Sequence, residues 1–189
     1  MPVYTAHRMT TTNPPIDLKA LIRDVPDVPQ PGVLFRDITP LLHDATAYRY
    51  VIDELTRLIG ERTPDAIVGI ESRGFLFGAP VAYNLGVPFV PVRKAGRLPS
   101  ERMSVEFALE YGESQLDIHT DALERDQQVV IVDDLLATGG TAAATAKLVE
   151  LLGAYVKSIA FLVELTALGG RQRLKAHHVI ALIQYDEAT

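Results

Sequence analysis

An α/β fold, with a central, mostly parallel sheet flanked by helices, is predicted for this chain from three observations. Short apolar runs recur: Ala66–Ile70, Pro88–Val92, Val129–Val132, Val156–Val163 and Val179–Ile183. Val129–Val132 is wholly β-branched, as expected of a strand buried on both faces. Helical segments alternate with the runs, which implies βαβ units. Charged or glycine-rich segments follow three of the runs: Glu71-Ser72-Arg73-Gly74, Arg93–Arg97 and Asp133–Thr141. Ligands bind at the carboxyl ends of parallel strands, so these segments should gather on one edge of the sheet.

Residues 1–15 lack an apolar core and read as a flexible tail; residues 16–189 read as one domain. Ile16, Leu18, Leu21, Ile22 and Val25 suggest a short amphipathic helix. Pro26, Pro29, Pro31 and Gly32 then force an irregular loop holding Val33, Leu34, Phe35, Arg36 and Asp37. Large apolar side chains in a loop must be buried or cover a ligand. Asp44 suits the N-cap of a helix with Tyr48, Val51, Ile52, Leu55 and Ile59 on one face, closed by Gly60. A buried helix spans Phe75–Leu85. The basic loop Arg93–Pro99 precedes a hairpin of Val105–Tyr111 and Ser114–His119, with Gly112 in its turn. The helix from Ala142 ends at Gly153, and Gly169–Ala176 reads as a basic, exposed helix or turn.

The 189 residues are 48% hydrophobic and carry a formal net charge of −6. Acidity argues against a nucleic-acid or anionic-membrane partner, but leaves room for a local basic site. The chain has no cysteine, which excludes disulfides and thiolate metal sites. Gly74–Val92 is uncharged and near membrane-span length, yet Pro80, Pro88 and Pro91 interrupt it. The reading is a soluble cytoplasmic protein. His177 and His178, adjacent on a strand, do not converge on a metal.

The most informative stretch is VVIVDDLLATGGTAAAT, Val129–Thr145. An apolar strand runs into Asp133 and Asp134, then a loop of Ala137, Thr138, Gly139, Gly140 and Thr141, then an alanine-rich helix. A helix N-terminus offers unpaired N–H groups and partial positive charge. The glycines permit close backbone approach, and the threonines add hydroxyl donors. Together these describe a phosphate cradle, with carboxylates upstream to accept hydrogen bonds from sugar hydroxyls. The pattern is neither a Walker loop nor a dinucleotide fingerprint.

This stretch resembles the phosphoribosyl pyrophosphate (PRPP) motif of the type I phosphoribosyltransferases. PGVLFRDITPLL, ESRGFLFGAPVA, VRKAGRLP, LEYG and LVELTALGGR, in that order, resemble the adenine-specific members of the family, and the likeness runs from Val25 to Tyr185. It implies the type I phosphoribosyltransferase fold with a small hood and a mobile loop or hairpin. It implies transfer of a 5-phosphoribosyl group from PRPP to adenine, giving AMP and pyrophosphate in purine salvage. Mg²⁺ is expected through PRPP, with no protein metal site, and a cytoplasmic homodimer is implied. By resemblance Asp133 and Asp134 hold the ribose hydroxyls, and Ala137–Thr141 bind the 5′-phosphate. Ser72 and Arg73 meet the pyrophosphate, helped by Arg93 and Lys94, the latter in cis or from the partner subunit. Leu34, Phe35 and Arg36 form the adenine pocket, which Leu165 closes. Arg97–Glu110 is the hood, Glu110 acts at the imidazole edge of adenine, and Tyr111 lies beside it.

Two other readings compete. A phosphoribosyltransferase for a 6-oxopurine shares the PRPP motif and differs in its choice of base. A PRPP-sensing regulator would need a DNA-binding element, and no helix-turn-helix precedes the domain.

Overall fold

A computed structural model describes residues 16–108 and 113–186. The expected tail at 1–15 and the turn at Gly112 lie outside them. The chain divides into two compact units, one ending at Ala47 and the other beginning at Tyr48.

In the first unit a 3-10 turn spans Lys19–Leu21, its amides Lys19 and Ala20 donating to Asp17 Oδ1 at 3.1 and 3.3 Å. Strand β1, Arg23–Pro26, then pairs antiparallel with β2, Leu34–Asp37. This corrects the expected helix over Ile16–Val25 and the irregular loop around Leu34–Asp37. The Asp17 cap supports a single turn, and Val25 stands opposite Phe35 on the partner strand. Asp24 and Arg36 face each other across the hairpin and form an ion pair that lets Arg36 be buried. A further short helix, α1, Thr39–His43, is begun by Asp37, whose Oδ1 accepts the Thr39 amide at 2.9 Å. Helix α2, Ala45–Gly60, has the expected cap: Asp44 Oδ1 accepts from Thr46 and Ala47 at 2.9 and 3.0 Å.

The second unit is built on a seven-stranded sheet. Its strands are β3 Ala66–Ile70, β4 Phe89–Lys94, β5 Arg102–Ala108, β6 Glu113–His119, β7 Gln128–Leu136, β8 Tyr155–Leu165 and β9 His178–Tyr185. Their spatial order is β5-β6-β4-β3-β7-β8-β9. Pairing is parallel from β4 through β9, and the β5–β6 hairpin adds antiparallel to β4. This is the expected mostly parallel sheet. Strand β3 is buried along its whole length, as are Val129–Val132 of β7 and Ser158–Glu164 of β8. Strand β7 runs through the acidic pair instead of stopping at Val132, because Asp133, Leu135 and Leu136 continue the ladder to Phe161, Val163 and Glu164.

Helix α3, Gly74–Leu85, links β3 to β4, and α4, Gly140–Leu151, links β7 to β8. The two crossovers leave β3 and β7 in opposite directions along the sheet. Right-handed crossovers then place the helices on opposite faces, and the strand order switches between β3 and β7. That switch point is where a ligand crevice opens.

Asp117 on β6 ties the edge hairpin to the loop after β4. It is fully buried; Oδ1 accepts from Ser104 Oγ and Gln115 Nε2, both at 2.8 Å, and Oδ2 from the Gly96 amide at 3.1 Å. Arg102 Nε lies 3.2 Å from Oδ2. Burial pushes this carboxyl up, but the hydrogen bonds from Gln115, Ser104 and Gly96, with the Arg102 charge, hold it below the usual range. A depressed carboxylate stabilises the fold above its unfolded pKa of about 3.9, and that contribution is lost as pH falls through the lower folded value. Asp117→Asn strands donors in the core and should cost about 2 kcal/mol at pH 7. In urea denaturation at pH 7 and pH 3, the gap between wild type and variant should narrow at the lower pH.

Candidate active site

A cavity of about 400 Å³ opens at the carboxyl ends of β3 and β7. Ser72 and Arg73 line it from the β3 end and Lys94 from the β4 end. Asp133, Asp134 and the whole loop Ala137–Thr141 line it from β7 and the start of α4. Phe107, Leu116 and Phe161 add apolar wall. The three segments that sequence reasoning set at one sheet edge each contribute to it.

The cavity depends on how closely β3 and β7 approach. Gly74 opens α3 directly against β7: a Cβ there would lie 2.8 Å from both Asp133 Oδ1 and the Val132 carbonyl oxygen. No side chain fits without moving the acidic pair. The preceding Glu71–Ser72 peptide is cis.

Asp133 Oδ1 accepts the Asp134 amide at 2.9 Å. Burial pushes the Asp133 carboxyl well up, and the neighbouring Asp134 charge pushes it further. Burial also raises Asp134, against the pull of Arg73. Arg73 Nε stands 2.9 Å from Asp134 Oδ2, yet that oxygen receives no aligned hydrogen bond. A buried carboxylate oxygen in that state has capacity left for a ligand hydroxyl or a hydrated cation.

The loop Ala137–Thr141 has the backbone its glycines imply. Gly139 is left-handed at φ +77° and caps α4, and its carbonyl accepts the Ala143 amide at 2.9 Å. The amides of the first helical turn have no partner within a helix, and such a turn offers donors to an anion.

Not every expected residue lines the cavity. Arg93 forks onto Glu71 instead, Nε to Oε2 at 3.1 Å and Nη2 to Oε1 at 3.2 Å, while its Nη1 donates to the Arg97 carbonyl at 3.2 Å. Glu71 also accepts the Lys94 amide at 3.0 Å, and the Arg93 hydrogen bond heads the causes that hold its carboxyl below the usual range. Arg93 therefore braces the segment that carries Ser72 and Arg73. Leu165 closes β8 and is half-buried. Leu34 and Phe35, half-buried, and Arg36, buried, lie on β2 of the first unit. Glu110 and Tyr111 lie outside the described residues.

Sequence reasoning missed Gly170. The expected exposed turn is the short helix α5, Gly170–Arg173, whose first residue is buried against the phosphate loop. A Cβ on Gly170 would lie 2.2 Å from the Ala137 carbonyl oxygen, and one on Gly139 would lie 2.9 Å from the Gly170 carbonyl oxygen. The only sequence signal was the Gly169-Gly170 pair itself.

Comparison with known proteins agrees with this geometry. Residues 41–184 match the Phosphoribosyl transferase domain family, which defines the class. The adenine phosphoribosyltransferase of a Synechococcus species is 56% identical over 171 residues, 90% of this chain and 100% of that protein. The crystal structure of the Thermoanaerobacter pseudethanolicus adenine phosphoribosyltransferase is also 56% identical, with a TM-score of 0.86 over 89% of this chain and 98% of that one. The Saccharomyces cerevisiae enzyme, solved with adenine and an imino-altritol bisphosphate, is 42% identical, with a TM-score of 0.82 over 87% of this chain and 96% of that one. The chain belongs to the adenine phosphoribosyltransferase family of pentosyltransferase enzymes.

Gly74→Ala tests the close approach. Its methyl forces the Val132 carbonyl and the Asp133 carboxylate aside. AMP affinity measured by calorimetry should fall at least about tenfold, since a misplacement of about 1 Å costs up to a hundredfold, while the folded circular-dichroism spectrum is kept.

Proposed function

We propose that this enzyme transfers the 5-phosphoribosyl group of PRPP to adenine, releasing AMP and pyrophosphate. The observation that carries the reading is the single cavity that joins the phosphate loop, the acidic pair, Arg73 and Lys94. PRPP bears a monophosphate and a pyrophosphate, so it needs two anion sites on either side of a sugar. In this reading Ala137, Thr138, Gly139, Gly140 and Thr141 hold the 5′-phosphate through amides and hydroxyls. Asp133 and Asp134 accept from the ribose hydroxyls. Ser72, Arg73 and Lys94 meet the pyrophosphate as it leaves, and Arg93 acts through Glu71.

Mg²⁺ fits this donor set. It keeps several waters and prefers one or two carboxylates plus substrate phosphates to an all-protein cage. Asp133 and Asp134 would hold it by way of PRPP, and when bound it neutralises charge on the leaving pyrophosphate. Among the described residues no helix is long and apolar enough to cross a membrane. A cytoplasmic homodimer is proposed on family resemblance.

In the reaction an imidazole nitrogen of adenine bonds to the anomeric carbon as the bond from that carbon to the pyrophosphate oxygen breaks. Positive charge builds on the ribose, as in glycoside chemistry, and a closed site protects it from water. The adenine proton must leave; Glu110, placed by resemblance with Tyr111 beside it, accepts it. Leu34, Phe35, Arg36 and Leu165 keep their proposed role with the base: Leu34 and Phe35 offer apolar surface to a purine.

AMP formation from adenine, PRPP and Mg²⁺ tests the whole reading. Adenine should exceed hypoxanthine and guanine by at least about a hundredfold in kcat/KM, because a site hydrogen-bonded to one purine edge leaves polar groups unpaired with another. Comparable rates with hypoxanthine would reassign the base. Glu110→Leu should lower the single-turnover rate by roughly 10²–10⁴ and leave PRPP affinity nearly intact. A variant that keeps more than about a third of the wild-type rate removes Glu110 from the chemistry.

A further inference from the structure

Glu164 is a buried carboxylate near the end of β8, in a strand otherwise buried and apolar from Ile159 to Val163. It is paired in register with Leu136 on β7, the residue before the phosphate loop, and with Gln184 on β9. Three side-chain donors converge on it: Arg171 Nε at 2.9 Å, Arg171 Nη2 at 2.5 Å and Gln184 Nε2 at 2.9 Å. The remaining arm of Arg171 donates to the Val179 carbonyl at 3.0 Å. The guanidinium thus bolts α5 to two strands at once.

Helix α5 has only four residues, too few to hold a position by its own hydrogen bonds. The bonds from Gln172, Arg173 and Leu174 stay within its turn, reaching back to Gly169 and Gly170. Gly170, adjacent to Arg171, is the residue pressed against Ala137 and Gly139. The fork, with its carboxylate buried and its guanidinium half-exposed, together with the buried Leu174, therefore fixes α5 and with it the back of the phosphate loop.

We propose that Glu164 and Arg171 are positioning residues for the phosphate loop, holding Gly170 against Ala137 and Gly139 so that the loop keeps its phosphate-binding shape. This rests on the proposed role of the loop. Neither side chain lines the cavity, so they act through Gly170 and not by touching the ligand.

Ribose 5-phosphate and pyrophosphate separate this from a general stabilising role, because only the first needs the loop. Dissociation constants for both are measured by calorimetry on the full chain, alongside thermal stability. Glu164→Gln, which keeps shape but loses charge, should weaken ribose 5-phosphate about tenfold, within the hundredfold that a misplacement of about 1 Å can cost. Pyrophosphate should change less than about twofold, since its cations keep their own braces. Arg171→Lys retains charge without the fork and serves if Glu164→Gln does not fold; it should show a smaller loss of the same selectivity. Gly170→Ala should reproduce the selective loss. Ile52→Val, a mild core change on α2, should lower stability and leave both constants alone. Equal losses for the two ligands, or an unchanged ribose 5-phosphate constant in folded variants, overturn the proposal while the functional reading stands. Wild-type protein that binds neither ligand and makes no AMP overturns both.

Discussion

The parallel pairing of β3 with β7 is the constraint on which the site depends. Because the strands are adjacent while their crossovers leave in opposite directions, neither crossover helix lies over the strand ends between them. Gly74 is the local expression of that constraint. It lets α3 begin in contact with the carboxylate and backbone of β7, so a basic segment and an acidic one meet on the same side of the sheet. Apolar packing serves the same end: the buried β-branched residues of both strands fix their register, and register fixes which residues stand at the rim.

Braced charge pairs stand in the cavity and behind its rim. Arg73 is held by Asp134, Arg93 by Glu71, and Arg102 by Asp117. Guanidinium groups held by carboxylates lose little freedom when a ligand arrives, which lowers the entropic cost of binding. Glu71 illustrates the layering: it receives two bonds from Arg93 and the amide of Lys94, so one carboxylate joins the β3 end to the β4 end. Asp117 does the same for the loop at Gly96 and the β5–β6 hairpin. Buried networks of this kind are favourable only when every acceptor is satisfied, and these two nearly are.

The parts of this architecture legible in sequence are those whose information is local. Val129–Thr145 carries strand, acidic pair, loop and helix start in one contiguous stretch, and the structure keeps that order, with the strand extended through the acidic pair by pairing to β8. The Asp44 cap was legible for the same reason. The first unit was not: Ile16–Val25 reads as a helix because its apolar residues follow helical spacing, and only pairing of Arg23–Pro26 with β2, across a proline-rich turn, selects a strand. Asp117 and Glu164 were illegible in a different way. Glu164 is a lone carboxylate in a mostly apolar strand and Asp117 lies between Leu116 and Ile118, but their partners lie as far as 20 and 21 residues away, so the sequence does not name the donors. Arg93 shows the converse: a basic residue beside a strand end suggests an anion ligand, and three-dimensional placement gives it to Glu71.

The protein's acidity and its proposed polyanionic substrate are reconciled by where protons and dipoles lie. Asp133 and Asp134 line the cavity beside the loop Ala137–Thr141, and burial raises the proton affinity of both. A raised carboxyl means its negative charge is poorly solvated, so the pair gains from any group that donates to it or neutralises it. Ribose hydroxyls and a hydrated Mg²⁺ both do so, whereas a bare phosphate does not. In the proposed function the carboxylates would favour the part of PRPP that is sugar and cation, and the amides of the α4 N-terminus the part that is phosphate. On that proposal, discrimination against free inorganic phosphate would come from the site needing both halves at once, on a ligand that carries them at a fixed separation.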